Sequence, residues 1–335
     1  MSTEGGTKAV VAALLANTGI AVLKFFAFVL TGASSMLAEA IHSVADSGNQ
    51  GLLLLGGKRS KRAATPEHPF GFGRERYIYS FLVAIVLFSV GGLFALYEAY
   101  HKYHEVHGGH PNELLEGRWW WVAIAVLLGA IVMESFSFRT AIVESNRSRG
   151  DATWVQFVRR AKSPELPVIL LEDLAALLGL VFALIGVSMS KITHKGYWDV
   201  AGTTAIGLLL VAVAVILALE TKSLLLGESA APAVQHNIRQ ALESVPGIDR
   251  VIHMRTLHLG PDELLVAVKT GVPRHASAAE VAASIDEAER AIRAAEPTAR
   301  VIYIEPDIYS EHHVPDQPPA TTPGTTSGAV PDAPH

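Results

Sequence analysis

Residues 34–57 form a block long enough to cross a lipid bilayer, yet they carry Glu39, His42, Asp46 and Asn49. At about 100° per helical residue these four, with Ser35, fall within roughly a quarter of the circumference, and Leu37, Ile41, Val44 and Leu52 lie opposite. One ionisable group in hydrocarbon costs at least about 2.5–3.5 kcal/mol on insertion scales, so a one-sided polar series faces a bundle interior or a water-filled path. His42 and Asp46 are four apart and present a nitrogen and an oxygen toward one point, a pairing that suits a divalent cation. The alternative is a hydrogen-bonded pair tying two helices together. It accounts for His42 and Asp46 but not for the whole polar series.

Five further apolar blocks flank this one. The six predicted spans cover roughly 9–31, 34–57, 78–100, 119–142, 166–189 and 197–220, each near the twenty residues that cross ~30 Å of hydrocarbon. Half of the 335 residues are hydrophobic and 18% are charged, with a mean hydropathy of +0.32, so the expected class is an α-helical polytopic membrane protein. The first block lacks a small-residue cleavage pattern and reads as a retained helix. Cysteine is absent, which excludes disulfides and thiolate metal sites. Lys58, Arg59, Lys61, Arg62, Arg74 and Arg76 lie between spans two and three, and Arg147, Arg149, Arg159, Arg160 and Lys162 between spans four and five. The opposite loops carry only Lys102, Arg118, Lys191 and Lys195, so both termini are expected in the cytoplasm.

Beyond residue 227 the composition changes. Residues 228–310 read as helix, strand, strand, helix, strand, an α+β domain of the ferredoxin-like αββαβ kind following the membrane domain of residues 1–227. Residues 311–335 are dominated by Pro, Thr, Gly and Ala, too little apolar surface to order a chain, and are expected to be a disordered tail.

Span five adds Glu172 and Asp173, two adjacent carboxylates that point about 100° apart. Glu172 shares a face with Ala176, Gly179 and Ala183, a small-residue stripe expected to pack closest to span two. At least one of the two acids is expected to meet His42 and Asp46. Span four contributes Glu134. Asn17 and Lys24 share a face of span one, where Lys24 either pairs with a carboxylate or snorkels to the interface. Asp199 is expected to cap span six. His101, His104, His107 and His110 recur every three residues outside span three, as a weak metal-collecting series or a solvated segment.

The run Ala38 to Gln50 (AEAIHSVADSGNQ), the run His68 to Tyr77 (HPFGFGRERY) and Leu171-Glu172-Asp173 resemble the cation diffusion facilitator family of divalent-metal/proton antiporters, in its zinc transporter nine-like branch. The resemblance implies a homodimer that meets through its cytoplasmic domains, each protomer holding a metal site at the membrane midplane. It selects two ligands four apart from span two, His42 and Asp46, and Asp173 from span five. The remaining family position falls on Ile169, which cannot bind metal, so Glu172, Glu39 or water is expected to complete the set. Histidines that bind regulatory metal in some relatives fall on apolar or aromatic positions such as Ile252 and Tyr303, leaving Glu305 alone.

The expected function is export of a divalent cation from the cytoplasm, zinc first and manganese, iron or cobalt next, by exchange for protons across a bacterial cell membrane. No prosthetic group and no nucleic-acid partner are expected; the partners are the metal, protons, the lipid bilayer and a second copy. An intramembrane metalloenzyme would need a His-Glu-x-x-His helix, and the sequence contains none, so no enzymatic activity is expected. The alternative is a membrane metal sensor or assembly protein that binds without transporting.

Overall fold

The computed structural model describes residues 3–31, 34–108 and 120–310. The sequence expectations for His110 and for the tail 311–335 fall outside them. The chain divides into two compact units, Met1–Ser229 with Leu257–Leu264, and Ala230–Thr256 with Leu265–His335.

In the first unit the apolar blocks become long helices: α1 (Thr3–Thr31), α2 (Ser34–Arg59), α3 (Glu75–Val86) continued by a π-helical turn Leu87–Leu93 and α4 (Phe94–His107), α5 (Trp120–Arg149), α6 (Trp154–Arg160), α7 (Glu165–Thr193) and α8 (Tyr197–Leu226). Among the described residues four stretches are long and apolar enough to cross a membrane: Glu75–His107, Ile124–Arg149, Glu165–Thr193 and Tyr197–Leu226. The apolar run of α1 begins near Val10 and continues through Leu30 in the sequence, and α2 is diluted by its polar face. The π turn was not foreseen. It brings Gly92 against α8, where a Cβ at that position would stand 2.7 Å from Val211, and such bulges widen a helix so that a neighbour can approach.

Close approach also governs α7 and α8. A Cβ on Gly202 would meet the Phe182 carbonyl oxygen at 2.9 Å, and one on Gly186 the Trp198 carbonyl oxygen at 3.0 Å. These glycines let the two backbones touch, as small residues do between membrane helices. In the stripe of Ala176, Gly179 and Ala183, Gly179 meets Ile206 of α8 and all three residues line a cavity shared with Ser43 and Asp46 of α2, while α7 lies chiefly against α5 and α8. An apolar cluster holding Val10, Leu53, Val83, Leu166, Ile169 and Leu210 joins α1, α2, α3, α7 and α8. Helix α6 starts on a capping box between Thr153 and Gln156 and buries Phe157, which anchors this short segment between two spans.

The second unit follows the predicted order: α9 (Pro232–Glu243), β1 (Arg250–Gly260), β2 (Glu263–Gly271), α10 (Ala278–Ala295) and β3 (Ala299–Asp307). Its sheet runs β1-β2-β3. Pro232 opens α9, where the missing N–H costs nothing, and Ser277 with Glu280 forms a capping box on α10. Leu264, Val266 and Val268 on β2, Ile238 and Leu242 on α9, and Ala288 and Ile292 on α10 are buried, giving two layers around one modest core. The hairpin tip Leu257–Leu264 clusters with the first unit, where Asp262 accepts a hydrogen bond from Arg76 Nη1 at 3.1 Å and Arg76 also pairs with Glu165.

Candidate metal centre

The polar faces of four helices meet inside the first unit. Asn49 Nδ2 donates to Glu172 Oε1 (2.8 Å), Gln50 Nε2 donates to Glu172 Oε2 (3.0 Å), and Asn17 Nδ2 donates to Gln50 Oε1 (3.3 Å). All four residues are buried. This chain of amides ties α1 to α2 and α2 to α7, and both Glu172 oxygens accept hydrogen bonds from amides. Glu172 is therefore held in place by α2, at the level where the sequence series changes from Asp46 to Asn49.

Asp173, the next residue, turns toward α5. Its Oδ2 accepts from Ser137 Oγ at 2.7 Å, and its Oδ1 is buried with no hydrogen-bond partner among the described residues. Glu134 lies one helical turn before Ser137 on the same face of α5. It is 1% exposed, its Oε1 also lacks a hydrogen-bond partner, and Asp173, Asp46 and Lys24 are near enough to act on it electrostatically. A cavity of about 40 Å³ opens between these groups, with Asn17, Lys24, Ser43, Asp46 and Glu134 supplying its polar wall. That space admits a water molecule or a largely dehydrated cation.

Of the sequence-predicted ligands, Asp46, Glu172 and Asp173 are thus buried in one polar interior. Glu39 and His42 belong to α2, but their side chains lie outside the described residues. Among the described residues no three His, Asp or Glu side chains converge to ligating distance; Asp46 and Glu134 border the cavity, while Glu172 and Asp173 are held beside it by Asn49, Gln50 and Ser137. Two open readings are decided. Lys24 does not snorkel, being 4% exposed and part of the cavity wall. Asp199 does not cap α8: the N-cap is Gly196, and Asp199 sits in the first turn with its carboxylate 3.3 Å from Lys102 Nζ, where a negative charge suits the helix dipole. Sequence reasoning missed the amide clamp, although adjacent Asn49 and Gln50 inside an apolar block carried its signal.

Outside this interior the described members of the histidine series after span three have local partners. His101 Nδ1 is 3.3 Å from Glu105, His104 packs on Tyr100 at 4.2 Å between ring centres, and His107 stacks on Tyr103 at 5.8 Å, all along one exposed helix. In the second unit Lys269 bridges Glu305 (3.0 Å) and Asp307 (2.9 Å) across β2 and β3. Those two carboxylates raise the Lys269 ammonium above its ordinary pKa, and Glu305 is committed to an ion pair.

Long apolar helices enclosing a carboxylate-lined cavity define a polytopic membrane protein with a cation-attracting interior. A model of the cation efflux transmembrane domain matches residues 10–226, and the chain belongs to that family, as its resemblance to the cation diffusion facilitators led us to expect. Over 259 residues it is 33% identical to the mitochondrial proton-coupled zinc antiporter SLC30A9 of Mus musculus, covering 77% of this chain and 44% of that protein. It is 26% identical to metal tolerance protein C4 of Arabidopsis thaliana, covering 78% and 56% of the two chains. With the magnetosome protein MamM of Paramagnetospirillum magneticum it shares 26% identity over 74% of this chain and 72% of the relative. The chain thus spans less than half the length of the zinc antiporters it matches. Among solved structures, a doubly substituted C-terminal domain of MamM aligns with 23% of this chain and 93% of its own length at 24% identity, with a TM-score of 0.22.

Proposed function

We propose that this chain carries a divalent cation, zinc foremost, out of the cytoplasm in exchange for protons. The observation that carries the reading is the polar cavity walled by Asp46, Glu134 and Lys24 inside an otherwise apolar helical unit. Packing alone gives no reason to hold that much charge in hydrocarbon. His42, Asp46 and Asp173 are the proposed ligands. Glu172, whose oxygens each keep a second lone pair beyond the amide clamp, and Glu39 are the candidates for the remaining position.

Ligand chemistry supplies the coupling. Metal binding needs neutral His42 and ionised carboxylates, so protons and metal compete for the same lone pairs, and protons arriving on one side drive release there. An oxygen–nitrogen set without thiolate suits zinc, which also binds above manganese, iron and cobalt in the Irving–Williams order. All six long helices cross the bilayer in this reading, α2 being admitted because its polar face is turned inward, and the loop lysines and arginines set both termini in the cytoplasm of a bacterial cell. The second unit is a ferredoxin-like domain through which two copies pair.

The test is zinc flux into sealed proteoliposomes under an imposed pH gradient. Flux that rises with the gradient and vanishes in a well-folded Asp46→Ala variant supports the reading. Saturable zinc binding in detergent with no flux overturns it in favour of a sensor or assembly protein.

A further inference from the structure

The polar wall reaches helices that the predicted ligand set leaves out. Glu134 on α5 is 1% exposed, borders the cavity, and has a buried carboxylate oxygen without a hydrogen-bond partner among the described residues. Such an oxygen forfeits its hydration and regains nothing from the protein, a cost of about 1–3 kcal/mol and more for a charge. Native structures rarely keep a group of this kind without a ligand or a role to explain it. Its neighbour Ser137 is different: its hydroxyl donates to Asp173. Across the cavity Lys24 on α1 is 4% exposed and interacts electrostatically with Glu134. It is a cation fixed to the protein and placed beside the same carboxylates that a metal would need.

We propose that Glu134 is a direct ligand of the transported cation, and that the Lys24 ammonium stands in for the cation when the cavity holds none, leaving the carboxylates as metal enters. The proposal rests on the transport reading above and adds to it a ligand from α5 and an internal competitor from α1. Its physical basis is charge balance. Two carboxylates, Asp46 and Glu134, on a cavity of about 40 Å³ repel one another unless a positive charge lies between them. Lys24 supplies one positive charge in the metal-free state, and a divalent cation supplies two. Glu134 has a free oxygen to offer, and oxygen ligands are ordinary partners for zinc and manganese. No bond is made or broken beyond coordination.

The two halves predict opposite signs, which a structural role would not do. Zinc affinity is read by isothermal titration calorimetry on the full chain in detergent micelles, with cobalt(II) as a second probe whose visible absorption reports its ligands. Glu134→Gln keeps the shape of the side chain and is expected to weaken zinc binding roughly ten- to hundredfold and to shift the cobalt bands. Lys24→Met is expected to tighten zinc binding several-fold, because the competitor is gone. Should Glu134→Gln not fold, Glu134→Asp keeps the charge one methylene further back, with weaker binding and altered cobalt bands expected. Wild-type zinc affinity or wild-type cobalt bands in whichever Glu134 variant folds overturns the ligand, and unchanged or weakened binding in Lys24→Met overturns the competitor. Asp46→Ala separates the levels: if it binds zinc as the wild type does, the transport site itself is wrong. If it loses binding while Glu134→Gln does not, only the extension to α5 fails.

Discussion

Adjacent residues Glu172 and Asp173 do different work because a helix turns about 100° between them. Glu172 is clamped by Asn49 and Gln50, whereas Asp173 keeps an Oδ1 without a hydrogen-bond partner among the described residues. Asp173→Asn is therefore expected to abolish zinc binding measured by calorimetry. Glu172→Gln is expected to fold, since Asn49 Oδ1 has no partner and can turn to accept from the new amide, and to weaken binding about tenfold by removing a nearby anion. Normal binding in Asp173→Asn with loss in Glu172→Gln would show the two roles reversed. Ile169 sits one turn before Asp173 at the position where the family resemblance places a ligand, which suggests that Ile169→His would restore a tighter zinc site. The structure argues otherwise. Ile169 is fully buried in an apolar cluster with Leu166 and Leu210, so an imidazole there is expected to cost about 1–3 kcal/mol in stability and to leave zinc affinity unchanged, as thermal melting and calorimetry would reveal.

Elements pack here through what is missing from their side chains. Helices α7 and α8 touch at Gly186 and Gly202, and a Cβ on Gly202 would stand 2.9 Å from the Phe182 carbonyl oxygen. Backbone cannot swing aside, so Gly202→Val is expected to destabilise the membrane unit by about 1–3 kcal/mol, seen as a lower melting temperature in detergent. Helix α10 depends instead on its start. The Ser277 backbone N–H holds the Glu280 carboxyl below its ordinary pKa, helped by the Ser277 hydroxyl. A group with a depressed folded pKa adds stability that is present above the unfolded value, about 4.3 for Glu, and is lost as pH falls through the folded one. Ser277→Ala is expected to cost about 0.5–2 kcal/mol; because it keeps the backbone N–H, the acid response is tested with Glu280→Gln, in which hydrogen exchange in the first turn of α10 should depend less on acid than in the wild type. An equal acid response in both proteins would remove the capping box as its source.

For the whole molecule the decisive measurement is proton-driven zinc flux and its loss in Asp46→Ala. Much of the architecture was legible beforehand, because hydrocarbon imposes length and polarity on any helix that crosses it. The approximate positions of the long helices and the αββαβ order of the second unit could be read from periodicity and composition, although several helices run six or seven residues past their predicted ends. The candidate centre was legible only in part. Sequence marked Asp46, Glu172 and Asp173 as buried polar groups, since an ionisable residue in an apolar block is conspicuous wherever it stands. It could not say that Glu172 is clamped by Asn49 and Gln50, that Gly179 of α7 meets Ile206 of α8, or that Lys24 and Glu134, 110 positions apart in the chain, border one cavity. Those facts depend on the rotation and crossing of each helix against its neighbours. Side-chain volumes and backbone contacts such as Gly202 on Phe182 set these angles, and a one-dimensional pattern does not contain them.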